Sequence, residues 1–384
     1  MLPGILLELS SCSDDPPAAP TTPPADAAVE RRNAPVEDAE IEDAADAAKV
    51  PPPVLPGCIG TSLPLARSGE RTFVSVNMGE DAAAIRGDFV IDFGSNGSTI
   101  DLDAFTAPAP KPSTCNGGDA AGPGALCSFP SFDFFGLWGA VSLVTGDYSF
   151  LISSVKQAGI IGTDFLSVYP FTVEYTNARI SKGSPTAFCT DAQLLGAGMV
   201  SIPAGGFYTN NTRTLRPLSD VVTDPDASTK NFTVPNVPTI PIAIAGVSAL
   251  AQLDTGYDDR ITRHSVNINQ ALLDQLLAKS ADKLTRRSTK DLFLTTCIAG
   301  LSQRGSAYVL APGTSVNFVT ASGAVGRNDT GTILFVKERL PEAEKCGGIE
   351  TWTVPAAQMG ASFLVDAQAV VFDPIASRVW VPKN

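Results

Sequence analysis

Two segments of this chain end an apolar run in Asp-x-Gly, and the second lies 162 residues after the first. In one, Phe89-Val90-Ile91 leads into Asp92-Phe93-Gly94-Ser95; in the other, Ala249-Leu250-Ala251-Gln252-Leu253 leads into Asp254-Thr255-Gly256. An alternating, β-branched run predicts a buried strand that delivers a carboxylate at its end, and Gly94 lets the backbone turn sharply without a Cβ clash. Ser95 follows with a hydroxyl able to bond that carboxylate. A lone Asp ahead of Gly is most often a plain turn. Two copies, each behind a strand, predict a two-lobed chain with facing carboxylates.

A second echo supports duplication. Gly162-Thr163-Asp164-Phe165-Leu166, Val173-Glu174-Tyr175 and Arg179-Ile180 are matched by Gly360-Ala361-Ser362-Phe363-Leu364, Val371-Phe372-Asp373 and Arg378-Val379. The Gly-to-Phe offset is three and the Gly-to-Val offset eleven in both, with one extra residue before the last Arg. Each half is thus expected to hold an Asp-x-Gly turn and, later, a Gly-x-x-Phe-Leu turn leading to an edge hairpin. Asp92-Phe93-Gly94 is also the magnesium-binding tripeptide of protein kinases, but His264, followed by Ser265, is the one histidine, so no His-Arg-Asp loop exists.

With 384 residues, 44% of them hydrophobic, the chain can bury the core that two lobes need. A formal charge of −13 argues against a nucleic-acid backbone as partner. About half of it sits in residues 13–56, where ten acids face Arg31, Arg32 and Lys49. That segment is Pro, Ala and acid with hardly an aromatic and cannot bury enough surface to order itself. It reads as a tether; a propeptide is the competing idea, but one that neutralises an acidic cleft is usually basic.

The seven cysteines are too scattered for a Cys-x-x-Cys zinc site, and a single histidine cannot complete one, so neither metal nor cofactor is expected. Setting Cys12 apart leaves six, the even number an exported protein would want. The expected pairs are Cys58 with Cys189, Cys115 with Cys127 and Cys297 with Cys346, the alternative being that some are buried free thiols. Leu9-Ser10-Ser11-Cys12 after a short apolar segment resembles the lipobox of bacterial lipoproteins, with Cys12 lipidated, although Glu8 interrupts the run and no Lys or Arg precedes it. Export to the cell envelope is the expectation, with any membrane attachment through that anchor.

Along the chain, residues 1–12 read as a signal segment, 13–56 as the tether, 57–193 as an amino-terminal β lobe with Asp92 and 194–384 as a carboxy-terminal β lobe with Asp254. Thr72-Phe73-Val74-Ser75-Val76 alternates as a half-buried strand. Residues 106–124 read as a long loop stapled through Cys115. Two strand-like runs flank Gly136-Leu137-Trp138-Gly139, giving either a hairpin with a flexible aromatic tip or an ordinary core hairpin whose aromatics pack inward. Asn267 to Leu277 carries apolar residues at helical spacing.

From about residue 57 to the end, the chain resembles the pepsin-like aspartic proteases. The likeness rests jointly on the two Asp-x-Gly turns, the later turns Ile160-Ile161-Gly162 and Gln358-Met359-Gly360, a helix after the second Asp, and Phe372-Asp373 with Val379-Trp380-Val381. It implies an all-β fold with a few short helices, two lobes related by a pseudo-twofold axis, and a cleft for a polypeptide substrate, in a monomer without cofactor. Asp92 and Asp254 would be the catalytic pair, supported by Gly94, Ser95, Thr255 and Gly256. The family usually has Thr or Ser after each Asp and again after each Gly; Phe93 and Tyr257 depart from this. The family's flap tyrosine has no clear equivalent, leaving Phe135 and Trp138 as flap candidates, with Tyr148 beyond them. The rival expectation is an inactive member of the fold that binds a peptide or protein in the cleft, with Phe93 and Tyr257 excluding the water.

Overall fold

A computed structural model describes residues 52–383, apart from 79–84, 106–108, 117–122, 137–138, 150–152, 207, 210–213, 216–236, 260–261, 288–292, 296–301, 321, 329–330 and 340–347. The signal segment, the tether as far as residue 51, Cys12, Trp138, Cys297 and Cys346 lie outside the described residues; residues 52–56 are described, and Leu55 packs against the core cluster around Cys189 and Trp380. What is described is mainly β with short helices, arranged as two lobes on a shared platform, as the resemblance implies.

The platform is made by the duplicated segments. Its antiparallel order runs Met199–Pro203, Arg378–Pro382, Ala369–Asp373, Phe171–Glu174, Arg179–Lys182 and then residues 61–64. The hairpins expected at an edge are therefore central. Each follows a short helix, Thr163–Leu166 or Ala361–Asp366, and they pair with one another, Thr172 opposite Val371. Their strands are buried on both faces, so their near-continuous apolar runs have no solvent side to alternate toward.

Each lobe repeats one topology around its aspartate. In the first, Ile85–Ile91 runs parallel to Gln157–Ile161, which pairs antiparallel with Thr99–Ile100. In the second, Val247–Leu253 runs parallel to Ala356–Met359, which pairs antiparallel with Ser265–Asn269. The later glycine turn thus grips the strand that ends in Asp: Asp92 N–H donates to Ile161 O at 3.0 Å and Asp254 N–H to Met359 O at 2.9 Å.

The helix expected from Asn267 begins three residues later, spanning Gln270–Ser280. Residues 265–269 are a buried strand, and Asn269 ends it by accepting the Leu272 N–H on its side chain, an N-cap that satisfies one orphan donor of the helix. The expected hairpin around Gly136 also differs. The strands that form are Leu126–Phe129 and Val141–Thr145, and residues 130–140 connect them.

Two of the three expected disulfides fall on described residues, and both form: Cys58–Cys189 and Cys115–Cys127. Cys115 and Cys127 are direct cross-strand partners. Disulfides are the mark of an oxidising compartment. Among the described residues no helix is long and apolar enough to cross a membrane. The Cys58–Cys189 bond closes 131 residues and the Cys115–Cys127 bond 12, which by chain entropy are worth about 5 and about 3 kcal/mol respectively. Thermal unfolding should therefore show a larger fall in Tm for Cys58→Ser/Cys189→Ser than for Cys115→Ser/Cys127→Ser.

Candidate functional site

Asp92 and Asp254, far apart in sequence, meet where the two strand ends face each other, with their carboxyl groups in mutual hydrogen-bond contact. The approach explains the glycines. Neither Gly94 nor Gly256 has a positive φ; a Cβ on Gly94 would instead lie 2.4 Å from Asp254 Cγ, and one on Gly256 2.6 Å from Asp92 Cγ. Each carboxylate rests on the other lobe's glycine, so any side chain there would force the pair apart. The expectation of a conformational role for Gly94 is corrected to one of close approach.

Each turn also feeds its own carboxylate. Gly94 N–H donates to Asp92 Oδ1 at 2.7 Å, and Gly256 N–H to Asp254 Oδ1 at 2.9 Å. Thr255 ties the lobes together: its Oγ1 donates to Ile91 O at 2.7 Å and accepts from Phe93 N–H at 2.9 Å. The reciprocal pair of bonds is absent because Phe93 stands where a hydroxyl would be needed. Its ring, fully buried, stacks on Phe372 of the platform with centroids 3.6 Å apart. The cross-brace is therefore one-sided, polar from the second lobe and aromatic from the first.

Ser95 does not reach Asp92. Its hydroxyl donates to Gly97 O within its own turn at 2.8 Å, while Ser95 O accepts the Thr163 N–H. Tyr257 occupies the matching place in the second lobe and stays out of the gap between the carboxylates. Its ring lies under Gly360, where a Cβ would be 2.5 Å from Tyr257 Cδ1, and its hydroxyl bonds Ser265 Oγ at 2.9 Å. Asp258, next in sequence, accepts the Glu70 N–H at 3.1 Å and so docks a turn of the first lobe.

Sequence reasoning missed Gln358. Its Nε2 donates to Asp254 Oδ2 at 2.6 Å, and its Oε1 accepts from Asn267 Nδ2 at 2.9 Å. A signal was present: Gln358 is the polar residue in an otherwise apolar strand end, and it stands directly beside Asn267 in the ladder. Tyr148 was set aside as lying beyond the flap; its hydroxyl bonds Thr99 Oγ1 at 2.5 Å, near enough to Asp92 for that charge to raise its pKa, after burial. Phe135 does not project as a flap. It turns back with φ 60° and packs against Phe134 and Phe171, in line with the inward-packing alternative. No metal-binding group of His, Cys, Asp and Glu occurs among the described residues.

Burial and the neighbouring Asp254 charge hold Asp92 well above the usual carboxylate range; burial also raises Asp254, opposed by the hydrogen bond from Asp92. The pair therefore retains a proton that free carboxylates would lose. Below the unfolded carboxylate pKa of about 4, both states are protonated and Asp92 carries no penalty. As pH rises through its raised folded pKa, the unfolded chain ionises more readily and stability is lost. Asp92→Asn should accordingly raise Tm at pH 7 and leave it unchanged near pH 3. Thr255→Val should lower stability by about 1–3 kcal/mol in denaturant titration, because the buried Phe93 N–H loses its acceptor.

No family model matches the sequence, and no curated protein does. Among solved structures, the chain is similar to the crystal structure of basic 7S globulin from soybean, with a TM-score of 0.42 and 11% identity over 84% of this chain and 94% of that one.

Proposed function

We propose that this chain is an aspartic endopeptidase in which a water held between Asp92 and Asp254 hydrolyses a peptide bond. The observation that carries the reading is the contact between two half-buried carboxyl groups, each braced by a backbone N–H of its own turn. Like charges this close cannot both ionise, so one member is an anion and the other an acid. The anion takes a proton from water as the water oxygen bonds to the carbonyl carbon; the carbonyl oxygen receives the π pair and the other member's proton. In collapse of the resulting gem-diol, the C–N bond breaks, the amine leaves with the proton held by the base, and a gem-diol proton returns to the acid.

The rival expectation, a cleft closed by Phe93 and Tyr257, is not favoured by where those rings lie. Phe93 stacks in the platform and Tyr257 lies under Gly360. The substrate is then an extended polypeptide, with the enzyme a monomer exported to a cell envelope, tethered by the acidic segment and by a lipid on Cys12.

The test is digestion of an unfolded protein across pH. Cleavage should be strongest on the acid side and fall as pH rises through the upper ionisation of the pair, which removes the shared proton. Asp92→Ala and Asp254→Ala should each reduce the rate more than about a thousandfold, and a statine-type transition-state analogue should inhibit the native chain. Cleavage undiminished in both variants would refute the reading.

A further inference from the structure

The two carboxylates are not equivalently held. Asp254 has its Oδ1 on the Gly256 N–H and its Oδ2 on the side-chain amide of Gln358, with the Tyr257 N–H also turned toward it. Asp92 has backbone donors only, Gly94 N–H and the shared Gly256 N–H, because Ser95 has turned its hydroxyl to Gly97 O.

Gln358 reaches Asp254 from a fixed place in the ladder. Ala356–Met359 lies between Val247–Leu253 and Ser265–Asn269, and Asn267 stands opposite Gln358. The Asn267 Nδ2 donates to Gln358 Oε1, which leaves Gln358 Nε2, a donor with no acceptor capacity, pointing at Asp254. An amide donor stabilises a carboxylate, and a charge-assisted bond of this kind is stronger than a neutral one.

We infer that Asn267 and Gln358 are positioning residues that pin the negative charge on Asp254, so that the proton shared by the pair resides on Asp92. This rests on the proposed protease chemistry for its consequence: Asp254 is the base toward water and Asp92 the acid toward the carbonyl. Of the other ionisable groups around the pair, Lys337 favours that order, while the acids beyond Tyr257 oppose it. Lys337, at the end of Ile333–Lys337, lowers Asp254, whereas Tyr148 faces Asp92 and Tyr257, with Asp258 and Asp259 beyond it, faces Asp254; the two tyrosines are themselves pushed up, mainly by burial, and so stay neutral.

Carboxyl-13C aspartate labelling of the full chain, followed by NMR titration, reads the order without requiring turnover. In Asp92→Asn the remaining Asp254 should titrate at least one pH unit below the value of Asp92 in Asp254→Asn, a tenfold difference in proton affinity. Adding Gln358→Leu to Asp92→Asn should raise Asp254 by about one unit, and Asn267→Leu should move it the same way by less. Equal or reversed values in the two single variants, or an unmoved Asp254 in both amide variants, would overturn the inference. Cleavage with a reversed order would sink the charge assignment alone; the expected order in a chain that cleaves nothing would sink the protease reading alone.

Discussion

Everything at the centre of this molecule depends on one steric fact: two carboxylates can touch only if each finds bare backbone on the opposite lobe. Gly94 and Gly256 provide it, with no room for a Cβ beside the facing Asp. The rest of the fold can be understood as holding that approach. The later glycine turns, at Gly162 and Gly360, press against the carbonyls of Ser95 and Tyr257 at 2.8 Å from where a Cβ would be. Each lobe is thereby clamped onto its own Asp-bearing strand by backbone contacts that no side chain could enter.

The cross-lobe brace shows how a duplicated design tolerates asymmetry. A hydroxyl after each Asp would make four bonds across the interface; here Thr255 makes two, and Phe93 replaces the others by stacking on Phe372. The two rings lie face to face, so what the exchange contributes is the burial of apolar surface rather than an offset or edge-to-face contact. The Phe93 ring goes down into the platform rather than toward the carboxylates.

The same asymmetry reaches the ionisable pair. Ser95 and Tyr257 both direct their hydroxyls away from the carboxylates, one to Gly97 O and one to Ser265, and an amide from a neighbouring strand serves Asp254 instead. Burial raises both acids, and one proton held between them lowers the repulsion that two anions would suffer. An environment that differs on the two sides is what allows one proton to have a preferred owner.

How much of this was readable from residues alone follows from the range of the interactions involved. Strand-then-Asp-x-Gly is local, and its recurrence, with the Gly-x-x-Phe-Leu echo, was enough to indicate two lobes and facing acids, while cysteine count and position indicated the Cys58–Cys189 and Cys115–Cys127 pairs. Local pattern also misled: the apolar spacing from Asn267 is continuous from strand into helix, and only the Asn269 cap marks the change. What tertiary structure alone decided was direction. Ser95 can bond a carboxylate or a carbonyl, Tyr257 can fill a gap or leave it, and Gln358 can face water or Asp254. Ser95 and Tyr257 settle on partners two and eight residues away, but Gln358 meets Asp254, 104 residues away, only because their strands become neighbours, and no local pattern carries that choice.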